Sequence, residues 1–306
     1  MSFYKYTNIS TASLILKNNK LRWSSPILFN DLEECQFTPF TKDGHLKASE
    51  DYIKILTEFA KGRNPNYNLD KFSNVTKMII ELMKISINRG TFSTNNFIET
   101  MSSYIPDNPE SDYRNFINIA FIKCFRILCV TKNYDNQLMW AHYANQNYGC
   151  VMEFENLYTI KPAFLREGFV RYHENLQPRS NPLDILLYGE TKEIRDLMMK
   201  DVAFSKRTSW SYENEYRFLF HENFGQITTE LDVQTKEKKT SVKYQSDKLF
   251  TDVSFPKESV KSVIFGVRTT YEDISRIRDL LLFNHYQCEC YKMSLSDGQF
   301  IKEKLE

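Results

Sequence analysis

Trp210-Ser211-Tyr212-Glu213-Asn214-Glu215-Tyr216-Arg217 is the stretch from which the rest of the chain can be read. In extended backbone, side chains alternate sides with period two, so Glu213, Glu215 and Arg217 would share one face. Two carboxylates side by side repel each other. Such a pair is tolerated on a solvated edge, where Arg217 neutralises one of them. It is also tolerated in a site where a carboxylate binds a substrate hydroxyl or a developing cation. The strand implied here runs over 216–220.

Working outward, the apolar run Ile127-Leu128-Cys129-Val130 reads as a buried strand, and 149–154 and 168–172 as further strands. A short helix is expected over 137–145 and a long one over 184–203. Strands follow at 239–244 and 260–265, the latter ended by Gly266. An amphipathic helix over 271–283 and a closing strand over 286–293 complete this half. The N-terminus opens with an aromatic strand, Phe3-Tyr4-Lys5-Tyr6-Thr7. A helix over 11–18 follows, capped by Asn8 or Ser10, then a short strand around Leu21-Arg22-Trp23. Between 46 and 123 the apolar spacing becomes helical, including Val75, Met78-Ile79, Leu82-Met83, the span Phe97 to Ile105 and the span Phe116 to Ile122. About four helices are expected there. The organisation is therefore α+β, with residues 1–45 and 124–306 forming the main domain and 46–123 a helical insertion.

Composition narrows the function classes. The 306 residues are 42% hydrophobic and 26% charged, which is globular rather than disordered. Forty basic against 39 acidic residues leave a net charge of +1, too little for binding that rests on phosphate neutralisation alone. Six cysteines and five histidines show no CxxC, HExxH or zinc-finger spacing, so no metal site is expected. No signal peptide and no apolar run of about 20 residues is visible, and a cytoplasmic location is expected.

Two further polar-aromatic clusters accompany the first. One is Tyr4-Lys5-Tyr6-Thr7, followed by the acidic turn Phe29-Asn30-Asp31-Leu32-Glu33-Glu34. The other is Leu138-Met139-Trp140-Ala141-His142-Tyr143-Ala144, leading to Tyr148-Gly149-Cys150. Met139, His142 and Tyr143 fall on one helix face. The plain structural reading makes Trp140 and Tyr143 core aromatics and His142 a half-exposed surface residue. Gly149 permits a tight turn or the close approach of a ligand.

Together these clusters resemble a bacterial family catalogued as domain of unknown function 2971, over about 3–35 and 124–270. Family members often carry Pro-Phe-Glu where this chain has Leu32-Glu33-Glu34. The order of the clusters also resembles that of ADP-ribosyltransferases. That resemblance implies a split mixed/antiparallel sheet and the use of NAD as a substrate. It implies Glu215 as the catalytic carboxylate and Glu213 as the group that orients the acceptor or takes its proton. It also implies a cofactor site of Tyr6, Thr7, His142, Tyr143 and Arg217. A toxin or antiviral effector modifying nucleic acid or protein would fit. Two alternatives stand beside it. One is a nucleic-acid binder or Mg²⁺-dependent nuclease using Asp31, Glu33, Glu34, Glu213 and Glu215, with Lys206, Arg207 and Arg217 on phosphate. The other is a non-catalytic interaction or sensor module whose helical block docks a protein partner. The acceptor and the oligomeric state are not legible in the sequence.

Overall fold

The computed structural model describes residues 1–36, 41–63, 65–102, 114, 118–157, 165–175, 178–222, 226–231 and 238–306. Among them, ten strands join one sheet that is antiparallel throughout except for one pair. With helices packed on it, the class is α+β.

Strand β1 (Phe3–Thr7), helix α1 (Ile9–Asn18) and strand β2 (Lys20–Ser24) open the chain. Asn8 caps α1 by accepting the Thr11 N–H at 2.7 Å. Strand β3 (Phe125–Thr131) pairs with β8 (Glu215–His221) over seven registered residues. Its other edge is different. There β2 touches it through Ser24 opposite Ile127, and β1 through Tyr4 opposite Thr131. Beyond those single pairs β1 and β2 splay apart, and Cys129 is left between them. Its exposed carbonyl is satisfied by the Lys5 ammonium, Nζ to O 2.9 Å.

The alternation along β3 and β8 decides which side holds the core. Leu128, Val130, Phe218 and Phe220 point into one apolar cluster with Phe3 and Trp23, covered by α1 and by α8 (Tyr271–Phe283). Ile127, Cys129, Glu215 and Arg217 take the opposite face. Beside β1 lie β4 (Cys150–Phe154), β12 (Val260–Phe265) and β13 (Glu289–Ser296), the last two parallel. On this part of the second face lies α5 (Gln137–Tyr143), whose Trp140 is fully buried against Tyr6, Val151 and Ile264. Gly149 holds the α5–β4 connection close. A Cβ there would sit 2.2 Å from Thr7 O and 2.9 Å from Ala144 O. The close approach that this glycine permits is therefore between backbone segments.

Helices α2 (Lys42–Ala60), α3 (Asn74–Asn88) and α4 (Thr94–Ser102) stand where helical spacing was expected. Their apolar centre, including Leu56, Phe59, Phe72 and Ile80, also takes in Leu187 of α6 (Pro182–Tyr188). Val75, Met78, Leu82 and Ile85 run along an exposed stripe of α3. The Phe97-to-Ile105 and Phe116-to-Ile122 periods lie partly outside the described residues; Asn118–Ile122 forms a π-helical turn.

Three local expectations are corrected. The helix expected over 184–203 is two helices, α6 and α7 (Lys192–Ala203), because Gly189 takes a left-handed φ of 75° and ends the first. The strand expected over 168–172 is two, β5 (Arg166–Phe169) and β6 (Arg171–His173); β6 leaves β8 to pair with β7 (Ser205–Arg207). Most telling, Glu213 is not on the strand of Glu215. It ends a 3-10 turn, Thr208–Glu213, and Asn214 at φ 42° reverses the chain before β8 begins. Four strands went unread: the short β7, β9 (Gln226–Leu231), which pairs with β10 (Lys238–Lys243) in a separate two-stranded sheet, and β11 (Phe250–Ser254) and β14 (Gln299–Lys304) at the two ends of the main sheet.

Candidate functional site

The splay of β1 and β2 along β3 opens a cleft of about 430 Å³. Segments more than 200 residues apart line it. Tyr4, Lys5 and Tyr6 come from β1, Arg22 and Ser24 from β2, and Phe29, Asn30 and Glu34 from the turn after β2. Met139, His142 and Tyr143 come from α5, and Lys206, Glu213 and Glu215 from the β7–β8 region. All three clusters singled out in the sequence thus meet in one hollow.

Helix α5 and the 3-10 turn are locked together before any ligand is considered. Asn136 caps α5 through Met139 N–H at 3.1 Å and donates its amide to Tyr212 O at 2.8 Å. His142 Nδ1 and the Tyr212 hydroxyl lie 2.9 Å apart. The Tyr143 hydroxyl donates to Glu213 Oε1 at 2.5 Å. Glu215 is fixed from behind: its N–H donates to the Tyr172 hydroxyl at 2.9 Å.

The floor of the cleft is a buried ionic cluster. Arg217 is fully buried and grips Glu215 with both prongs of its guanidinium, Nε to Oε1 2.9 Å and Nη2 to Oε2 2.8 Å. Its Nη1 donates to Ala203 O at 2.7 Å. Nη2 also lies 2.7 Å from Glu34 Oε1. That contact is an ion pair of poor angle, and Oε1 has no hydrogen-bond partner. Lys206 sits at the centre. Its ammonium reaches Glu213 at 2.8 Å, Glu34 at 3.3 Å and Glu215 at 3.8 Å, and lies 4.5 Å from the Trp210 ring centroid. All five charged side chains are at least nine-tenths buried.

Environment separates the two carboxylates. Burial opposes ionisation of Glu215, but Arg217 and then Lys206 outweigh it and hold the carboxyl down at about 2. For Glu213 burial dominates; Lys206 pulls against it, the negative Glu215 adds to it, and the carboxyl ends above its ordinary value. Burial and the Glu213 partner push the Tyr143 phenol up. Burial works against the Lys206 ammonium, yet Glu215, Glu34 and Glu213 raise it above the ordinary lysine range. Cys129, whose thiol donates to Glu215, is pushed well up by burial first and Glu215 second. A pair of neighbouring carboxyls with such different proton affinities is a common property of acid–base sites.

The expected site residues divide. Tyr6, His142, Tyr143, Glu213 and Glu215 line the cleft. The Tyr6 hydroxyl is committed to Asn133 O at 3.0 Å, and its ring meets Trp140 edge-on. Thr7 is buried in the β1–β4 pairing and does not line the cleft. Arg217 lies behind Glu215 and out of the lining, so it holds a carboxylate rather than a ligand. Lys206 and Arg217 are likewise turned to carboxylates, while the more exposed Arg207 pairs with Glu33 at 2.8 Å. The positions a magnesium ion would need among Glu34, Glu213 and Glu215 face the Lys206 ammonium and the Arg217 guanidinium. No group of three metal-ligating side chains occurs among the described residues.

Glu34 and Lys206 were not among the expected catalytic or cofactor residues. In sequence, Glu34 is a candidate magnesium ligand and Lys206 a candidate phosphate contact, both for the nuclease alternative alone. Nothing local announces that both are buried.

The fold and site define an α+β protein with a polar-aromatic cleft at a splayed strand pair, floored by paired carboxylates and buried cations. The family described as “Protein of unknown function (DUF2971)” matches residues 139–218, the stretch from α5 into β8. That stretch carries His142, Tyr143, Lys206, Glu213, Glu215 and Arg217, so the resemblance seen in the sequence holds there. No curated protein and no solved structure matches the chain. No helix among the described residues is long and apolar enough to cross a membrane.

Proposed function

We propose that this protein cleaves the nicotinamide–ribose bond of NAD and transfers ADP-ribose to an acceptor. The observation that carries the reading is the convergence of Tyr6, Tyr143, Glu213 and Glu215 on one cleft from three distant segments. The splay of β1 and β2 from β3 supports the split-sheet expectation.

The chemistry suits these groups. As the bond to nicotinamide lengthens, positive charge grows on the ribose. A carboxylate that stays ionised nearby stabilises that charge most at the transition state. Glu215 stays ionised at any physiological pH, and its position is fixed by Arg217. Nicotinamide leaves as a neutral molecule and needs positioning more than a proton, a task for the Tyr143 and Tyr6 rings. Glu213, with its raised proton affinity and its short bond to Tyr143, is the group suited to accept the acceptor's proton. The acceptor is a nucleic acid or a protein.

The test is release of free nicotinamide from NAD, followed by chromatography with and without a total nucleic-acid or protein extract. Time-dependent nicotinamide release, with label from the adenosine half appearing on macromolecules, is expected. Intact NAD after prolonged incubation with both extracts would contradict the reading.

A further inference from the structure

Outside the cleft, the ribbon of β6 and β7 carries a row of cations. Tyr172 and Lys206 stand opposite each other in its parallel register and turn toward Glu215 and Glu213. By the period-two alternation, Arg171, His173 and Arg207 take the other face, with His173 and Arg207 as register partners. Arg179 joins them. Burial lowers the His173 imidazole, and Arg171 and then Arg179 lower it further, against Asp201. Arg179 is itself lowered by burial, with Asp201 opposing and Arg171 adding. Asp201 is fully buried and already accepts from the Arg179 N–H, the Ser180 N–H and the Ser180 hydroxyl at 2.7 to 3.0 Å, with Arg179 Nε 4.0 Å away. Glu174, next to His173, acts on neither His173 nor Arg179. Arg171 is exposed, and its guanidinium has no hydrogen-bond or ion-pair partner among the described residues. Asp201 therefore balances Arg179, and the charge of Arg171 is left over. Glu33 balances Arg207 at 2.8 Å, but both side chains are exposed, and such a pair is weak in water. Glu33 adjoins Glu34, which lines the cleft.

After β7 the chain enters the 3-10 turn that ends at Glu213. There the half-exposed Trp210 has its ring centroid 6.1 Å from that of Tyr212. Guanidinium forks fit phosphodiester oxygens, and an aromatic ring stacks on a base whatever its identity. We propose that this face of the β6–β7 ribbon, with Trp210, binds single-stranded nucleic acid and leads it to the rim of the cleft. A repeating phosphate is favoured over a lone phosphoryl group because Arg171 and Arg207 stand two registers apart along the ribbon instead of around one point. The binding stands without the NAD reading; the strand's role as acceptor of ADP-ribose rests on it.

The experiment is fluorescence anisotropy of the full chain with labelled single-stranded RNA and DNA of about 12 nucleotides, a duplex of equal length and a phosphoserine peptide of equal charge. The wild type is expected to bind a single strand, with log K falling against log salt at a slope of about −2, the value for roughly three phosphate contacts. Arg171→Glu should weaken binding at least about tenfold and flatten the slope by about 1. Trp210→Ala should weaken it at least about fivefold with the slope kept. Nicotinamide release from NAD should be the same in Arg171→Glu as in the wild type. No binding of either single strand, or equal binding by wild type and Arg171→Glu, overturns the proposal. So does a duplex or a peptide that binds as tightly as the single strand. If Arg171→Glu does not fold, Arg207→Gln takes its place. Strand binding by a chain that leaves NAD intact keeps this surface and removes the NAD reading; transfer to protein alone removes the strand's role as acceptor.

Discussion

Arg217→Met should destabilise the protein by roughly 3–5 kcal/mol, the cost of leaving a buried carboxylate without its partner. Arg217 is fully buried and holds Glu215 with two hydrogen bonds, while Glu34 lies against the same nitrogen. Methionine fills similar space but carries no charge, so all three carboxylates, Glu34, Glu213 and Glu215, would be left to Lys206 alone. Urea unfolding of wild type and variant reads the difference directly. Adding Glu215→Gln to the variant should recover part of the loss, since one orphaned charge is then gone. A loss below about 1 kcal/mol would place the pair in a far more hydrated setting than its burial indicates.

The same pair sets an acid limit. The folded Glu215 carboxyl lies at about 2, below its ordinary 4.5. Its contribution is fully present above about 4.5 and is lost as pH falls toward 2. Glu213 acts in the opposite sense, because its folded carboxyl is raised. The stability it contributes is present at low pH and declines as pH rises through its folded value. Removing Arg217 should therefore flatten the acid side of the stability profile.

Glu213→Gln should lower the rate of ADP-ribose transfer by at least about 100-fold, the usual size of a lost general base. Glutamine keeps the shape and can still meet Tyr143 and Lys206, so the fold should survive. Transfer by the wild type should rise with pH as Glu213 ionises, with its midpoint above the ordinary carboxylate range. That limb should vanish in the variant. The measurement is transfer rate against pH with labelled NAD. An unchanged profile in Glu213→Gln would assign the proton step to another group.

How much of this was legible in sequence depends on the scale of the signal. Strand β3 was readable because Ile127–Val130 is an unbroken apolar run, and β8 because Phe218-Leu219-Phe220 is another, each feeding both faces of the sheet. Strands β9, β11 and β14 were not, since each is rich in polar or charged residues: Gln226–Leu231, Phe250–Ser254, Gln299–Lys304. The pairing of Glu213 with Glu215 was anticipated, but through the wrong geometry. A common strand face was expected; a left-handed Asn214 turns the chain between them, and Lys206 draws both together. Gly189 likewise divides a helix whose apolar spacing runs on without interruption. Glu34 and Lys206 stand out in sequence only as a magnesium ligand and a phosphate contact; their burial in one ionic cluster was not legible, because it is created by segments that meet only in the folded chain. The exposed stripe of Val75, Met78, Leu82 and Ile85 was visible as periodicity, whereas its lack of cover among the described residues was not.

The central claim is that NAD occupies the hollow between β1, α5 and β8. Met139 lines that hollow, whereas Met83 is buried in the helical cluster and Met293, on β13, is buried in the apolar cluster of Trp140 and Ile264. Methyl NMR of the methionine-labelled protein during NAD titration reports on all three at once. The account predicts a saturable shift of the Met139 methyl with Met83 unmoved; a saturating NAD concentration that leaves Met139 where it was would contradict it.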